Sequence, residues 1–373
     1  MRVLILSCNT GGGHNAAGEA ISERIRMMGH EAVMQDVMLL AGRRTSRAVG
    51  GAYVGIVKHT PWLFGLLYRA GMWISSAKRK SPVYAANIPV GRCLEKYLRE
   101  NAFDVIVTPH LFAAEALTYL KRRGVLHQKV LAVTTDYTCI PFWEETECDG
   151  YVLPHRGLVG EYVQRGLPKE KLFSYGMPVR AAFSHKKDRA QARRECGLDL
   201  QRPAYLIMSG SMGFGKMERF VSVLANALHG EGQIVMICGN NEPMRRTLQN
   251  AFAANPDMQI LGYTDRVEDY MDACDVVFTK PGGLSSSEAA VKNLPIVYTE
   301  AIPGCETRNL AFFTERGMAA TAPDIRGQIE LGLELARPGD VREHMLAAQR
   351  KEAAPDAAEK IFQLLLDWGR KNA

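Results

Sequence analysis

The chain has 373 residues, of which 47% are hydrophobic and 23% are charged, and its formal net charge is +6. This length allows two domains with separate cores, and this balance is typical of a soluble globular protein rather than a disordered or fibrous one. No run of about 18 uncharged apolar residues is present, which argues against a membrane span, and the eight cysteines form no CxxC pair, which favours reduced thiols.

The first half opens with a strand, a glycine loop and a helix. Arg2 to Ser7 is an apolar run typical of a buried parallel strand, and Ala16 to Met28 carries apolar residues at helical spacing. The loop Asn-Thr-Gly-Gly-Gly between them ends at His14. In a signal peptide, the apolar run would be followed by a small-residue cleavage site, whereas here it is followed by a glycine loop, which argues against a signal peptide. With a second strand that ends at Asp36, the pattern also fits a dinucleotide-binding fingerprint.

The segment from 37 to 94 contains no Asp or Glu. Its cations are Arg43, Arg44, Arg47, Lys58, Arg69, Lys78, Arg79, Lys80 and Arg92. Apolar side chains such as Trp62, Leu66 and Trp73 stand among them. This mixture suits the interface of an anionic membrane, and it carries more apolar surface than phosphate contacts to nucleic acid need. The alternative is an ordinary helical insertion with a solvated basic face.

Strand and helix patterns alternate from there to the end of the chain. A polar stretch at 184–202 indicates a linker and the first helix of a second domain. We therefore predict an α/β protein with two doubly wound, Rossmann-like domains, 1–183 and 184–356, that face a central cleft. The amphipathic terminal segment, 357–373, is predicted to be a helix that can pack across the junction.

The stretch from Thr279 to Asn309 carries the strongest indication of a ligand site. It opens with a Pro-Gly-Gly turn, whose glycines let the backbone approach a ligand. One of the serines at 285–287 would cap the following helix, and the N–H groups at such a helix start attract anions. Glu288 can accept two hydrogen bonds from a ribose diol. The simplest matching ligand is a sugar nucleotide, and the alternative is a plain strand–turn–helix junction.

The residues predicted to contact a UDP-sugar share a position at a strand end, a glycine turn or a helix start of the second half. They are Gly210, Ser211, Met212, Gly213, Tyr263, Thr264, Gly282, Gly283, Ser285, Glu288, Glu306 and Asn309. Tyr263 and Thr264 would flank uracil, and for Tyr263 the alternative is a core aromatic. Glu306 and Asn309 would reach the sugar or the diphosphate. No Asp-x-Asp motif is present, so we expect no metal ion and no cofactor.

His14 is the predicted general base. It stands at the carboxyl end of a strand, where doubly wound sheets bind ligands. An imidazole with a pKa near neutrality can take a proton from a hydroxyl. The alternative is a capping or packing role. Asp136 ends another strand and would orient His14 or serve as a reserve base. Gly12, Gly13 and Asn15 would form the loop on the acceptor side.

Three motifs occur in a fixed order along nearly the whole chain. They are Asn9-Thr-Gly-Gly-Gly-His14-Asn15, Lys280-Pro-Gly-Gly283 with Glu288-Ala289, and Pro303-Gly-Cys305-Glu306 with Asn309. Together they resemble those of the monogalactosyldiacylglycerol synthases and bacterial diacylglycerol glucosyltransferases. These are similar in turn to the enzyme that adds N-acetylglucosamine to the peptidoglycan lipid intermediate.

This resemblance implies a GT-B fold, with the lipid acceptor in the first domain and the UDP-sugar in the second. It implies metal-free, inverting transfer of a hexose to diacylglycerol, which makes a β-glycosyl-diacylglycerol at the cytoplasmic face of the membrane. The chain departs from the family pattern in two places. Cys305 replaces a glutamine, and the histidine that the family often has shortly after its Thr-Asp motif is absent from Tyr137-Thr-Cys-Ile-Pro141, which follows Asp136. The motifs favour no hexose over its epimers.

Three other functions fit parts of the sequence. A nicotinamide dehydrogenase would use Gly11 and Asp36 but would leave the Gly210 loop without a role. A UDP-sugar epimerase shares the twin-domain plan but needs no aromatic segment free of acids. A non-catalytic, membrane-bound sensor of UDP-sugar would bind the donor without transferring label to lipid. The expected partners are therefore a UDP-sugar, a lipid acceptor and an anionic membrane surface, without nucleic acid.

Overall fold

The computed structural model describes residues 1–8, 12–209 and 217–370 of the chain. By their contacts these residues form two compact units. The first comprises Met1–Ala181, Ile302–Cys305 and Ala354–Ala373, and the second comprises Ala182–Ala301 and Glu306–Ala353. Each unit contains one six-stranded parallel sheet.

The strands and helices alternate along both units, as βα repeats of a doubly wound fold do. The strands are β1 Arg2–Ser7, β2 Glu31–Asp36, β3 Val105–Thr108, β4 Lys129–Val133, β5 Gly150–Val152, β6 Leu172–Phe173, β7 Ala204–Met208, β8 Gln233–Ile237, β9 Met258–Leu261, β10 Val276–Thr279, β11 Ile296–Tyr298 and β12 Ala320–Thr321. The α-helices are α1 Gly12–Met27, α2 Val37–Leu40, α3 Arg43–His59, α4 Pro61–Ile74, α5 Pro82–Glu100, α6 Leu111–Arg122, α7 Val159–Gln164, α8 Ala181–Ser184, α9 Arg189–Cys196, α10 Met217–Leu228, α11 Glu242–Ala251, α12 Val267–Ala273, α13 Gly283–Val291, α14 Cys305–Glu315, α15 Ile325–Leu335, α16 Asp340–Glu352 and α17 Ala357–Arg370.

The first sheet has the strand order β2-β1-β3-β4-β5-β6, and all of its pairs are parallel. After β2 the chain returns past β1 and adds β3 on the other side, so the order reverses between β1 and β3. Loops that leave the carboxyl ends of these two strands therefore diverge, and the crevice between them is where doubly wound sheets bind ligands.

The last helix belongs to the core of the first unit. Ile361, Phe362 and Leu365 of α17 are buried among the side chains of β1, β3 and β4. Arg24 of α1 forms an ion pair with Glu359 at the start of α17. The terminal helix therefore completes the first unit, although all of the second unit precedes it in the chain.

The second sheet has the order β12-β11-β10-β7-β8-β9, which reverses between β7 and β10. A fully buried cation ties its amino-terminal edge together. Arg193 of α9 donates to the backbone oxygens of Ala273, Asp199 and Arg202 at 2.8–2.9 Å, and it pairs with Asp275 at 2.8 Å. Because every one of these acceptors precedes β7 or β10, Arg193 fixes the amino-terminal edge of the sheet rather than its ligand-binding edge.

The acid-free segment forms the helices α2 to α5 of the first unit. Ser81 caps α5 by accepting from the backbone N–H groups of Val83 and Tyr84, and its own N–H donates to Glu145 at 2.5 Å. Within the described part of the chain, no helix has both the length and the apolar character needed to cross a membrane.

Candidate functional site

His14 lies in the first turn of α1, directly after the glycine loop that follows β1. Its Nδ1 atom is 3.0 Å from the backbone oxygen of Pro109 and 2.9 Å from Oγ1 of Thr135. Pro109 follows β3 and Thr135 follows β4. The carboxyl ends of three adjacent strands therefore meet at this one imidazole, on the edge of the sheet that the strand order marks as the binding edge.

These contacts define which ring nitrogen can act as a base. The oxygen of Pro109 can only accept a hydrogen bond, so Nδ1 of His14 carries the proton and donates it. Nε2 is then the unprotonated nitrogen. Burial lowers the pKa of His14 below its ordinary value, and the negative charge of Asp136 opposes part of that effect. The imidazole is therefore neutral at physiological pH, which is the state a general base requires.

Two neighbours hold His14 and its loop. His110 packs edge-on against His14 with ring centroids 4.6 Å apart, and it caps α6 by accepting from the N–H of Phe112. Burial, and the proximity of His14, lower the pKa of His110 well below its ordinary value, so it stays neutral. Ser7 at the end of β1 donates to Oδ1 of Asn15 at 2.5 Å. Asn15 thus secures the start of α1, which includes the exposed Gly12 and the half-buried Gly13.

The turn after β10 forms the second candidate site. Helix α13 begins at Gly283, and its N-cap, Gly282, provides no side-chain cap. The prediction that a serine caps this helix is wrong, because the serines lie inside it. Tyr298 donates to Ser286, Ser287 donates back to the oxygen of Gly283, and Ser285 is half-buried. The glycine N-cap leaves the first backbone N–H groups of α13 uncapped by a side chain, as an anion site requires.

Lys280, a motif residue to which the sequence analysis assigned no role, stands beside this helix start. Nζ of Lys280 lies 2.5 Å from Oε1 of Glu306 on α14, and the Lys280 side chain is 19% exposed. The fully buried Asn309 donates to the backbone oxygen of Pro281 at 3.1 Å. Asn309 therefore shapes the Pro-Gly-Gly turn from behind, and Lys280 places a positive charge next to it.

The remaining predicted donor residues have different environments. Glu288 is buried in the second turn of α13. Tyr263, which follows the edge strand β9, is 74% exposed, which rules out the alternative of a core aromatic. Thr264 accepts from the N–H of Arg266 at 3.1 Å. The predicted loop residues Gly210, Ser211, Met212 and Gly213 lie outside the described residues. Among those that are described, no group of three or more His, Cys, Asp or Glu side chains is arranged to hold a metal ion.

Solved structures share this architecture along the whole chain. MurG of Acinetobacter baumannii superimposes with a TM-score of 0.60 at 14% identity and covers 98% of this chain and 99% of its own. The UDP-GlcNAc 2-epimerase of Neisseria meningitidis gives a TM-score of 0.61 at 13% identity, with 98% and 100% coverage. At such low identity the likeness concerns the fold alone. Two parallel six-stranded sheets in this arrangement define the GT-B class, which confirms the predicted fold class.

Sequence comparison matches the chain to two family models and to curated relatives. The family described as monogalactosyldiacylglycerol (MGDG) synthase matches residues 14–179, and the glycosyltransferase family 28 C-terminal domain matches 204–303. A probable MGDG synthase 2 of Oryza sativa subsp. indica is 28% identical over 98% of this chain and 79% of its own length. A processive diacylglycerol beta-glucosyltransferase of Staphylococcus saprophyticus is 25% identical over 88% of this chain and 83% of its own. These matches confirm the family resemblance that the motifs predicted.

Proposed function

We propose that the protein transfers a hexose from a UDP-sugar to diacylglycerol and so makes a β-glycosyl-diacylglycerol. The observation that carries the proposal is the hydrogen bond from His14 to Pro109, because it leaves an unprotonated Nε2 at the binding edge of the first sheet. The names of the related proteins, which include synthases and glucosyltransferases of diacylglycerol lipids, support the acceptor class and the transfer of a hexose.

In the proposed reaction, Nε2 of His14 takes the proton from the free hydroxyl of diacylglycerol. The hydroxyl oxygen forms a bond to C1 of the sugar while the bond from C1 to the diphosphate oxygen breaks, and its electron pair leaves with UDP. Attack on the face opposite UDP inverts the configuration at C1. The negative charge of Asp136 stabilises the imidazolium that forms.

The departing diphosphate acquires negative charge. We assign the stabilisation of this charge to the turn after β10. The amino-terminal N–H groups of α13 and the ammonium group of Lys280 are the positive groups at this turn. Glu288 would accept hydrogen bonds from the ribose, and Tyr263 offers an exposed ring on which uracil can stack. In this scheme the reaction uses no metal ion and no cofactor beyond the donor.

The acceptor is a membrane lipid, and α4 is the proposed docking element. Its exposed apolar side chains are Trp62, Leu66, Leu67, Trp73 and Ile74. The exposed cations of the same segment are Arg43, Arg44, Arg47, Arg69, Lys78 and Arg79. Apolar side chains on a helix among cations complement an anionic bilayer surface, and each cation near it contributes roughly 1 kcal/mol. We place the protein at the cytoplasmic face of the membrane, in keeping with its family.

Transfer of radiolabel tests the function directly. Purified protein is incubated with vesicles of diacylglycerol and phosphatidylglycerol and with labelled UDP-glucose or UDP-galactose. Label is expected in the chloroform phase, and the anomeric coupling of the product by NMR should be that of a β-glycoside. A donor epimerised in the water phase, with no label in lipid, would indicate an epimerase instead. UDP binding without either product would indicate a sensor.

Sedimentation with vesicles tests the docking element. The double variant Trp62→Ala/Trp73→Ala removes the two most exposed aromatic side chains of α4, which are 64% and 88% exposed. We expect it to lose sedimentation with phosphatidylglycerol vesicles while keeping its affinity for UDP. Val341→Ala is a matched control, since this exposed apolar residue belongs to the second unit. Equal sedimentation of both variants would contradict docking through α4.

A further inference from the structure

Helix α4 has a second face, which packs on protein rather than facing solvent. Phe64, Gly65 and Tyr68 are half-buried on that face, in contrast to the exposed Trp62 and Leu66. Their partner is the turn Ile302–Gly304, which belongs to the same unit as α4. The lipid-facing helix of the proposed function is therefore also a packing surface for this turn.

Two glycines let the helix and the turn approach each other closely. A Cβ atom on Gly65 would lie 3.0 Å from Cβ of Pro303. A Cβ atom on Gly304 would lie 3.2 Å from Cγ of Tyr68 and 3.3 Å from Cε1 of Phe64. Gly304 also has a φ of +118°, which side-chain-bearing residues rarely adopt. The contact thus depends on the absence of side chains at both positions.

The turn leads directly into the donor-side residues. Gly304 is followed by Cys305 and then by Glu306, the partner of Lys280. Two residues of chain span at most about 7 Å, so the position of Gly304 strongly limits that of Glu306. Because α4 packs on this turn, it also restrains the carboxylate of Glu306, which pairs with Lys280.

We infer that Phe64, Gly65 and Tyr68 are positioning residues for Glu306, so that the lipid-facing helix also sets the geometry of the donor site. The inference rests on the proposed function, because it takes Glu306 and Lys280 to serve the UDP-sugar. It assigns two separable roles to the two faces of α4: the outer face binds lipid, and the inner face holds the turn.

A pair of matched glycine substitutions tests the inner face. Gly65→Ala and Gly55→Ala both add a methyl group inside a helix of the same segment, and both raise helix propensity. Gly65→Ala presses on Pro303, whereas a Cβ on Gly55 would have no neighbour within 4 Å in the part of the chain that the structure describes. We expect Gly65→Ala to raise the KM for UDP-sugar or to lower kcat by roughly tenfold, as a small misplacement of a positioning group does, without loss of vesicle sedimentation. Gly55→Ala should match the wild type.

The reactivity of Cys305 gives a readout that does not depend on turnover. Cys305 and Cys93 are both half-buried thiols, and Cys93 lies on a different helix, α5. Alkylation by iodoacetamide, followed by mass spectrometry, should be several times faster at Cys305 in Gly65→Ala than in the wild type. The rate at Cys93 should stay constant, and equal thermal melting curves would exclude general unfolding.

The outcomes separate this inference from the function on which it rests. If Gly65→Ala matches Gly55→Ala in both turnover and Cys305 alkylation, the inference is wrong while the transferase function stands. If the wild type transfers no sugar, the proposed function fails, and the alkylation rates still decide whether α4 holds the turn. A loss of sedimentation in Gly65→Ala would likewise contradict separate roles for the two faces.

Discussion

Replacing Lys280 by methionine removes a positively charged partner of Glu306 beside the start of α13. Nζ of Lys280 and Oε1 of Glu306 are 2.5 Å apart, and their side chains are 19% and 8% exposed. In the proposed complex, the ammonium group turns toward the diphosphate and offsets the charge of Glu306. Lys280→Met keeps the length of the side chain while it removes this positive charge.

The size of the effect follows from the burial of the pair. A hydrogen bond to a charged group contributes about 1.5–3 kcal/mol, and water compensates little for its loss at a site this enclosed. Repulsion between Glu306 and the diphosphate acts in the same direction. A loss of about 2–3 kcal/mol corresponds to a roughly 30- to 160-fold higher Kd for UDP. Uridine, which lacks phosphate, should bind the variant and the wild type equally.

Calorimetric titration with UDP measures this change. Lys280→Arg should retain most of the affinity, because the charge remains. Adding Glu306→Gln to Lys280→Met should recover part of the loss, since the repelling carboxylate is gone, and the cycle of variants gives the coupling energy. A wild-type Kd for Lys280→Met would refute the assignment of diphosphate to this turn.

Three further changes test other parts of the molecule. Asp136→Asn removes a negative charge that raises the pKa of His14. The acid limb of the kcat/KM profile should therefore move to lower pH, because the imidazole stays neutral there. An unmoved limb would show that Asp136 does not influence the base. Tyr263→Ala removes an exposed ring and should raise the Kd for UDP about tenfold, by titration, if the ring stacks on uracil. Arg193→Met leaves Asp275 buried with one cation fewer, which should lower the free energy of unfolding of the second unit by about 3 kcal/mol in urea; an unchanged midpoint would contradict this role.

Apolar runs predicted the sheets well, because a strand buried on both faces has no polar positions. The strand predicted at Arg2–Ser7 coincides with β1, whose residues from Val3 to Ser7 are buried. Helix starts were harder to predict. Serine is the stronger N-cap by propensity, but the tight turn after Pro281 begins α13 at Gly283 before the serines are reached. The start of α13 is therefore set by the geometry of the turn and not by N-cap propensity.

The site was predictable where a motif has its own chemistry. A glycine loop that ends in histidine identified His14, but its partner, the oxygen of Pro109, is a backbone atom that no sequence pattern marks. The motif included Lys280, but its role could not be predicted, because that role depends on Glu306 from another helix. The packing of Gly65 on Pro303 joins positions far apart in the chain, so only the structure reveals it.

The proposed reaction requires His14 to remove the proton from the lipid hydroxyl. The variant His14→Ala lacks this base and therefore tests that role. Transfer of labelled hexose to diacylglycerol should fall by roughly a hundredfold or more, while the Kd for UDP, measured on the same protein, should not change. If His14→Ala glycosylates diacylglycerol at the wild-type rate, His14 is not the general base.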